Sequence, residues 1–151
     1  MNLAEWIEDQ RDKFIALSDQ IWDFAELGFS ERRSSDLLAA ALKGAGFRLQ
    51  RGVADIPTAF IASFGQRRPV IAILGEYDAL PGLSQEKVPF RKPLAENGNG
   101  HGCGHNLLGV GSLAANVVPP LAESQYIIRA PLLQQVNEIY PRVLDSPKAR
   151  R

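Results

Sequence analysis

The chain has 151 residues, enough for one domain that buries about two-thirds of the surface its unfolded form exposes, so it has no need of cross-links. Hydrophobic residues at 45% and charged residues at 23% exclude a disordered segment, and 17 basic against 17 acidic side chains leave no net charge to favour nucleic acid or an anionic membrane. A single cysteine excludes an internal disulfide, no apolar run approaches the ~20 residues of a membrane span, and Met1-Asn2-Leu3-Ala4-Glu5-Trp6 lacks the blocks of a signal peptide, so a cytoplasmic location is expected.

From residue 2 to 27, apolar side chains at Leu3, Trp6, Ile7, Phe14, Leu17, Ile21, Trp22 and Ala25 recur at helical spacing. Asn2 and Glu5 read as a capping pair, and Gly28 is expected to end the helix. A second helix is predicted after Ser30, through Leu37, Leu38, Ala41 and Leu42, stopping at Gly44 and Gly46. Both stripes are core faces, and Trp6 and Trp22 are read as packing rather than as pocket walls. Past Gly46 the period falls to two: Phe47 and Leu49 alternate with Arg48 and Gln50, and Thr58 to Phe64 is rich in strand formers. After a turn at residues 65–69, Val70-Ile71-Ala72-Ile73-Leu74-Gly75 is a continuous apolar run, the pattern of a strand buried on both faces.

That run leads into Glu76-Tyr77-Asp78-Ala79-Leu80-Pro81-Gly82. Ligands of open α/β sheets gather past the carboxyl ends of strands, and acids at i and i+2 on such a chain share a face, so Glu76 and Asp78 are expected to point into one cleft. Either suits a metal, or holds a histidine ligand in its tautomer; a solvated strand end before a Pro-Gly turn is the plain alternative. Residues 83–96, with Pro89 and Pro93, read as an irregular excursion.

Gly98-Asn99-Gly100-His101-Gly102-Cys103-Gly104-His105-Asn106 then holds both histidines and the only cysteine. Its glycines at 98, 100, 102 and 104 permit positive φ, so that alternate side chains converge. A Cys103-x-His105 pair suits zinc or another late first-row metal; the alternative is a turn with a buried cysteine and locally bonded histidines. Asn106 is placed to cap a helix through Leu107, Leu108, Val110, Leu113 and Ala114, ended by Pro119-Pro120. Beyond it Tyr126-Ile127-Ile128 reads as a short strand, Leu132, Leu133, Val136 and Ile139 as one weak stripe, and residues 146–151 as a basic tail.

Residues 73–85 (Ile-Leu-Gly-Glu-Tyr-Asp-Ala-Leu-Pro-Gly-Leu-Ser-Gln), with residues 101–109 (His-Gly-Cys-Gly-His-Asn-Leu-Leu-Gly), resemble the metal-dependent amidohydrolases and peptidases of the aminoacylase and carboxypeptidase G type. Ile56-Pro57-Thr58-Ala59-Phe60, Ile21-Trp22 and Ala25-Glu26 are similar to the same group, so that the likeness runs from residue 1 to about residue 115. The resemblance implies an α/β fold: residues 1–118 as the N-terminal part of a catalytic domain with a central sheet flanked by helices, residues 119–151 as a divergent tail, and the lid or dimerisation domain absent. It implies a two-metal site of zinc or manganese, with Cys103 and His105 as ligands, Asp78 as the catalytic residue that orients the site, and His101 and Glu76 beside them. The implied reaction is hydrolysis of the amide joining an acyl or aroyl group to an amino acid, by water that the ions activate and a glutamate deprotonates.

The resemblance further implies a Glu-Glu pair, supplying the base and another ligand, on the strand after the helix that follows the Cys-His loop; after Ala115 the acids are Glu123, Glu138 and Asp145, no two adjacent, and no histidine follows His105. No general base is found, and little or no activity is expected of the chain alone. Missing groups supplied by another polypeptide, in a homo- or hetero-oligomer, would make it an enzyme. A non-catalytic metal-binding or interaction module and a truncated gene product are the alternatives.

Overall fold

The computed structural model describes residues 3–68, 70–113 and the single positions 134 and 137. The chain divides into two units, Met1–Val118 and Pro119–Arg151, and the readings made for residues 126–128, for the stripe Leu132, Leu133, Val136 and Ile139 and for the basic tail lie outside the described residues.

The amphipathic stripe of the first residues forms two helices, α1 (Leu3–Asp9) and α2 (Arg11–Phe24), which meet at Gln10. The second stops short of Gly28 because Ala25 takes the left-handed conformation, φ 44°. The spacing correctly predicts α3 (Arg32–Gly44), after which Gly46 turns at φ 90°. No side chain of its own N-cap serves α3. The carboxylate of Glu26 does so from the preceding turn, accepting from the backbone N–H of Arg33 (3.0 Å) and from the N–H and hydroxyl of Ser34 (both 2.8 Å). Free amides and the helix dipole both favour an anion there.

Strands β1 (Arg48–Arg51) and β2 (Phe60–Ser63) pair antiparallel, Arg48 opposite Ser63 and Arg51 opposite Phe60, and this hairpin is the sheet among the described residues. The expected strand at residues 70–75 takes no ladder partner there: Val70 is 81% and Leu74 83% exposed. A strand apolar on both faces needs neighbours on both edges and cover above and below. The described residues form neither; they make a small mixed unit of helices and one hairpin, compatible with a piece of an α/β fold.

Helix α4 (His105–Gly111) packs on α2, and Leu17, Ile21, Leu38, Val110 and Leu113 make the buried core, edged by Phe14, Phe60 and Tyr77. Residues 75–77 cross α4 at two glycines. A Cβ on Gly109 would stand 2.9 Å from Tyr77 Cβ and 3.1 Å from the Glu76 carbonyl, and one on Gly75 would stand 2.6 Å from Ser112 Oγ. Trp6, half-buried, packs on Phe14 with centroids 5.9 Å apart, in keeping with a packing role. Trp22 does more than pack: it lies 6.3 Å from the His101 ring and lines a cleft of about 330 Å³ with Asp19, Gln85 and Lys87. No helix among the described residues is long and apolar enough to cross a membrane.

Candidate active site

Backbone pairing assembles the site. The N–H of Ala79 donates to the Glu26 carbonyl at 2.7 Å beside a parallel bridge from Leu27, and Leu80 exchanges two hydrogen bonds with Gly100, at 2.9 and 3.0 Å. The segment carrying Glu76 and Asp78 is thus held between the turn after α2 and the glycine loop. The excursion between these two residues ties itself together: Gln85 donates to the Phe90 carbonyl at 2.7 Å and accepts from the Lys92 N–H at 2.9 Å.

Side chains of residues 76–78 alternate. Tyr77 turns to the core, and its hydroxyl donates to the Thr58 carbonyl at 2.6 Å. Burial raises its pKa above the ordinary 10.0, which keeps the phenol a donor. Glu76 and Asp78 face the other way and close on one imidazole. Asp78 Oδ1 lies 2.7 Å from Nδ1 of His105, and Glu76 Oε2 lies 3.2 Å from its Nε2. With Nδ1–H donating to Asp78, a neutral ring turns its Nε2 lone pair toward an anionic oxygen. A cation between the two atoms would relieve that repulsion.

A third carboxylate stands nearby, one that no sequence spacing signalled. Glu31, 9% exposed, accepts from the Thr58 hydroxyl at 2.8 Å. Its Oε1 and Asp78 Oδ2 overhang Gly28, where a Cβ would meet them at 3.9 and 3.6 Å. The Thr58 carbonyl also accepts from Ser35 at 2.7 Å, so one residue ties Glu31, Ser35 and Tyr77 together.

The glycine loop departs from its sequence reading in two respects. Of its four glycines only Gly104 takes a positive φ, 73°. The others are needed for smallness, because Leu83 and Ser84 lie against them: a Cβ on Gly100 would run into the Leu83 carbonyl, and one on Gly98 would stand 3.0 Å from Ser84 Cβ. Second, Asn106 does not cap α4. Gly104 is the N-cap and makes no side-chain bond, while the Asn106 amide donates to Ser18 Oγ at 2.9 Å. A partner on α2 outcompetes the local cap.

Cys103 is a free, exposed thiol. His101 is buried, and its Nε2–H donates to the Ile21 carbonyl at 2.9 Å. Burial pushes its pKa below the ordinary 6.5, so it is a neutral ring whose Nδ1 lone pair meets no hydrogen-bond partner. It anchors the loop to α2.

Thiol, imidazole and carboxylate are right in kind for zinc or manganese. The 3.2 Å between Glu76 Oε2 and His105 Nε2 also matches two adjacent donors on one ion with bonds of ~2.0–2.2 Å. In number the donors fall short: among the described residues no three of His, Cys, Asp and Glu are grouped to hold a metal ion.

The resemblance read from residues 73–85 and 101–109 is borne out by comparison: in sequence the chain is a relative of the amidohydrolases and peptidases. It is 51% identical over 121 residues, 80% of its length, to a p-aminobenzoyl-glutamate hydrolase subunit of Escherichia coli. Xaa-Arg dipeptidase of Mus musculus is 32% identical over 123 residues, 74% of the chain, and hippurate hydrolase of Campylobacter jejuni 30% over 106 residues, 70% of it. The chain spans about a quarter of the length of these relatives, 25%, 25% and 27% in turn. No protein-family model matches it.

Proposed function

We propose that this chain forms part of the site of a metal-dependent amidohydrolase that cleaves the amide between an acyl or aroyl group and an amino acid, with p-aminobenzoyl-glutamate as the leading substrate. The observation that carries this reading is the 2.7 Å contact of Asp78 with His105 Nδ1. A carboxylate on one ring nitrogen fixes the tautomer that frees the other for an ion. Cys103 and His105 would then hold zinc or manganese, with Glu76 as a further oxygen donor. A bound ion of this kind acidifies water and polarises a scissile carbonyl.

The chain's own residues orient and hold. Asp78 keeps the proton on Nδ1, Tyr77 fixes the carboxylate pair from behind, and His101 fastens the loop. The general base and remaining ligands come from polypeptide beyond the described residues, whether more of the same protein or a partner. That the Escherichia coli relative is named as one subunit of its hydrolase supports a partner. The free thiol of Cys103 suits the reducing cytoplasm.

The test is release of p-aminobenzoate from p-aminobenzoyl-glutamate with added Zn²⁺ or Mn²⁺, by the chain alone and co-expressed with the part of the Escherichia coli relative beyond the matched stretch. Background rates alone, and turnover in the complex that Cys103→Ser abolishes, are the expected results. Metal-independent turnover overturns the reading. The shortfall of donors among the described residues favours a second reading, a non-catalytic metal-binding module; tight metal binding with no turnover in either form selects it.

A further inference from the structure

Three side chains between residues 99 and 106 reach α2 and its C-cap. Asn106 Nδ2 donates to Ser18 Oγ at 2.9 Å, His101 Nε2 to the Ile21 carbonyl at 2.9 Å, and Asn99 Nδ2 to the Ala25 carbonyl at 3.2 Å. Ser18 and Ile21 are three residues apart on α2, and Ala25 is its left-handed C-cap. Cys103 and His105 lie between the outer two stitches.

We propose that Asn106 and Ser18 are positioning residues, which set where His105 stands against Asp78. Asn106 follows His105 directly in the first turn of α4, and Gly104 starts that turn with no side-chain cap. The turn is therefore gripped from two sides, by Asp78 and Glu76 at His105 and by Ser18 at Asn106. Asn106 and Ser18 are 5% and 6% exposed, and Asn106 Oδ1 has no hydrogen-bond partner. Flipping the amide exchanges which of its atoms is left over without removing the deficit. A leucine of similar size carries no such deficit, so a buried half-satisfied amide serves direction rather than stability. Its bond to a hydroxyl fixes the rotation of α4 about its axis, which an apolar contact leaves free to slip. The stitching itself is independent of any metal; only its catalytic meaning rests on the hydrolase reading.

The experiment uses the full chain, ¹⁵N-labelled, at a fixed neutral pH. Its readout is the imidazole N–H proton of His105 that Asp78 accepts, assigned by its loss in His105→Gln. In the double variant Ser18→Ala/Asn106→Leu both polar partners become apolar, a change that leaves stability near its starting value or raises it. The denaturation midpoint is expected to hold while exchange of the His105 N–H with solvent speeds up about tenfold or more. Ser18→Thr, which keeps the hydroxyl, is expected to retain the slow exchange. A folded double variant with unchanged exchange overturns the proposal. Should that variant fail to fold, Ser18→Ala alone decides, with the same acceleration expected and unchanged exchange again refuting. Because turnover plays no part in the readout, absence of turnover in every form tells against the hydrolase reading and leaves this one standing.

Discussion

Alanine at Gly109 and alanine at Gly111, two residues apart in α4, are expected to act in opposite directions. Replacing a helical glycine by alanine ordinarily stabilises by ~0.5–1 kcal/mol, since the unfolded chain loses freedom. At Gly111 a Cβ meets nothing within 4 Å, so that gain is expected undiminished. At Gly109 the new atom lands 2.9 Å from Tyr77 Cβ, 3.1 Å from the Glu76 carbonyl and 3.4 Å from Leu38 Cδ1. The first two belong to the backbone or sit next to it and cannot swing aside. Comfortable carbon contacts begin near ~3.5 Å, so residues 76 and 77 must withdraw by roughly half an ångström. Overpacking of this kind costs ~1–3 kcal/mol. Set against the propensity gain, Gly109→Ala should be neutral to ~2 kcal/mol destabilising, and ~1–3 kcal/mol less stable than Gly111→Ala. For a chain of this size the gap corresponds to about 3–10 °C in midpoint. Urea and thermal unfolding of the two variants side by side would measure it. A Gly109→Ala protein as stable as Gly111→Ala would refute the account of how the carboxylate segment crosses α4.

Tyr77→Phe removes the hydroxyl that donates to the Thr58 carbonyl, and with Ser35 still bonded there a loss of about 1 kcal/mol is expected by urea denaturation. Because burial holds His101 neutral in the folded chain, with a pKa below 6.5, the unfolded chain takes up that proton first as pH falls. Stability is therefore full above the unfolded value and is lost as pH drops through the folded one. Midpoints at about pH 7.5 and about pH 5.5 should show the fall, and His101→Gln should flatten it. Val70→Lys with Leu74→Lys, at positions 81% and 83% exposed, should cut binding of the dye ANS and change the unfolding free energy by no more than about 0.5 kcal/mol. A large loss of stability would mean that the run is packed after all.

What could be read from sequence was what local chemistry decides. The stripe through Leu37, Leu38, Ala41 and Leu42 locates α3 because a buried helix face has one period, and the alternation after Gly46 finds the hairpin for the same reason. Glu76 and Asp78 were legible as a pair because residues two apart share a side, and the structure closes both on His105. What escaped depends on distant partners. The apolar run at 70–75 records the cover such a strand requires, which no property of the run itself can supply. Asn106 has the chemistry of a cap, but Ser18, 88 positions away, claims it. Glu31 and Thr58, 27 apart, carry no mark of their meeting. The glycines of the loop looked like hinges, whereas Gly100 is small because Leu83 leaves it no room.

The bridge between Leu80 and Gly100 has a consequence for how such a site can diversify. The chain on either side of the excursion is bonded to itself, Leu80 to Gly100 and Ser84 to Gly98, and Gln85 and Lys92 hold its interior. Asp78 and His105 are fastened from the far side of that clasp, by Glu26, Thr58 and α2. Leu83, Ser84 and Asn99 belong to the clasp, since they pack on the glycine loop or bond to Ala25, so it is the stretch between them, residues 85–97, that behaves as an exchangeable cassette, open to change in sequence and length while the groups it frames stay where they are.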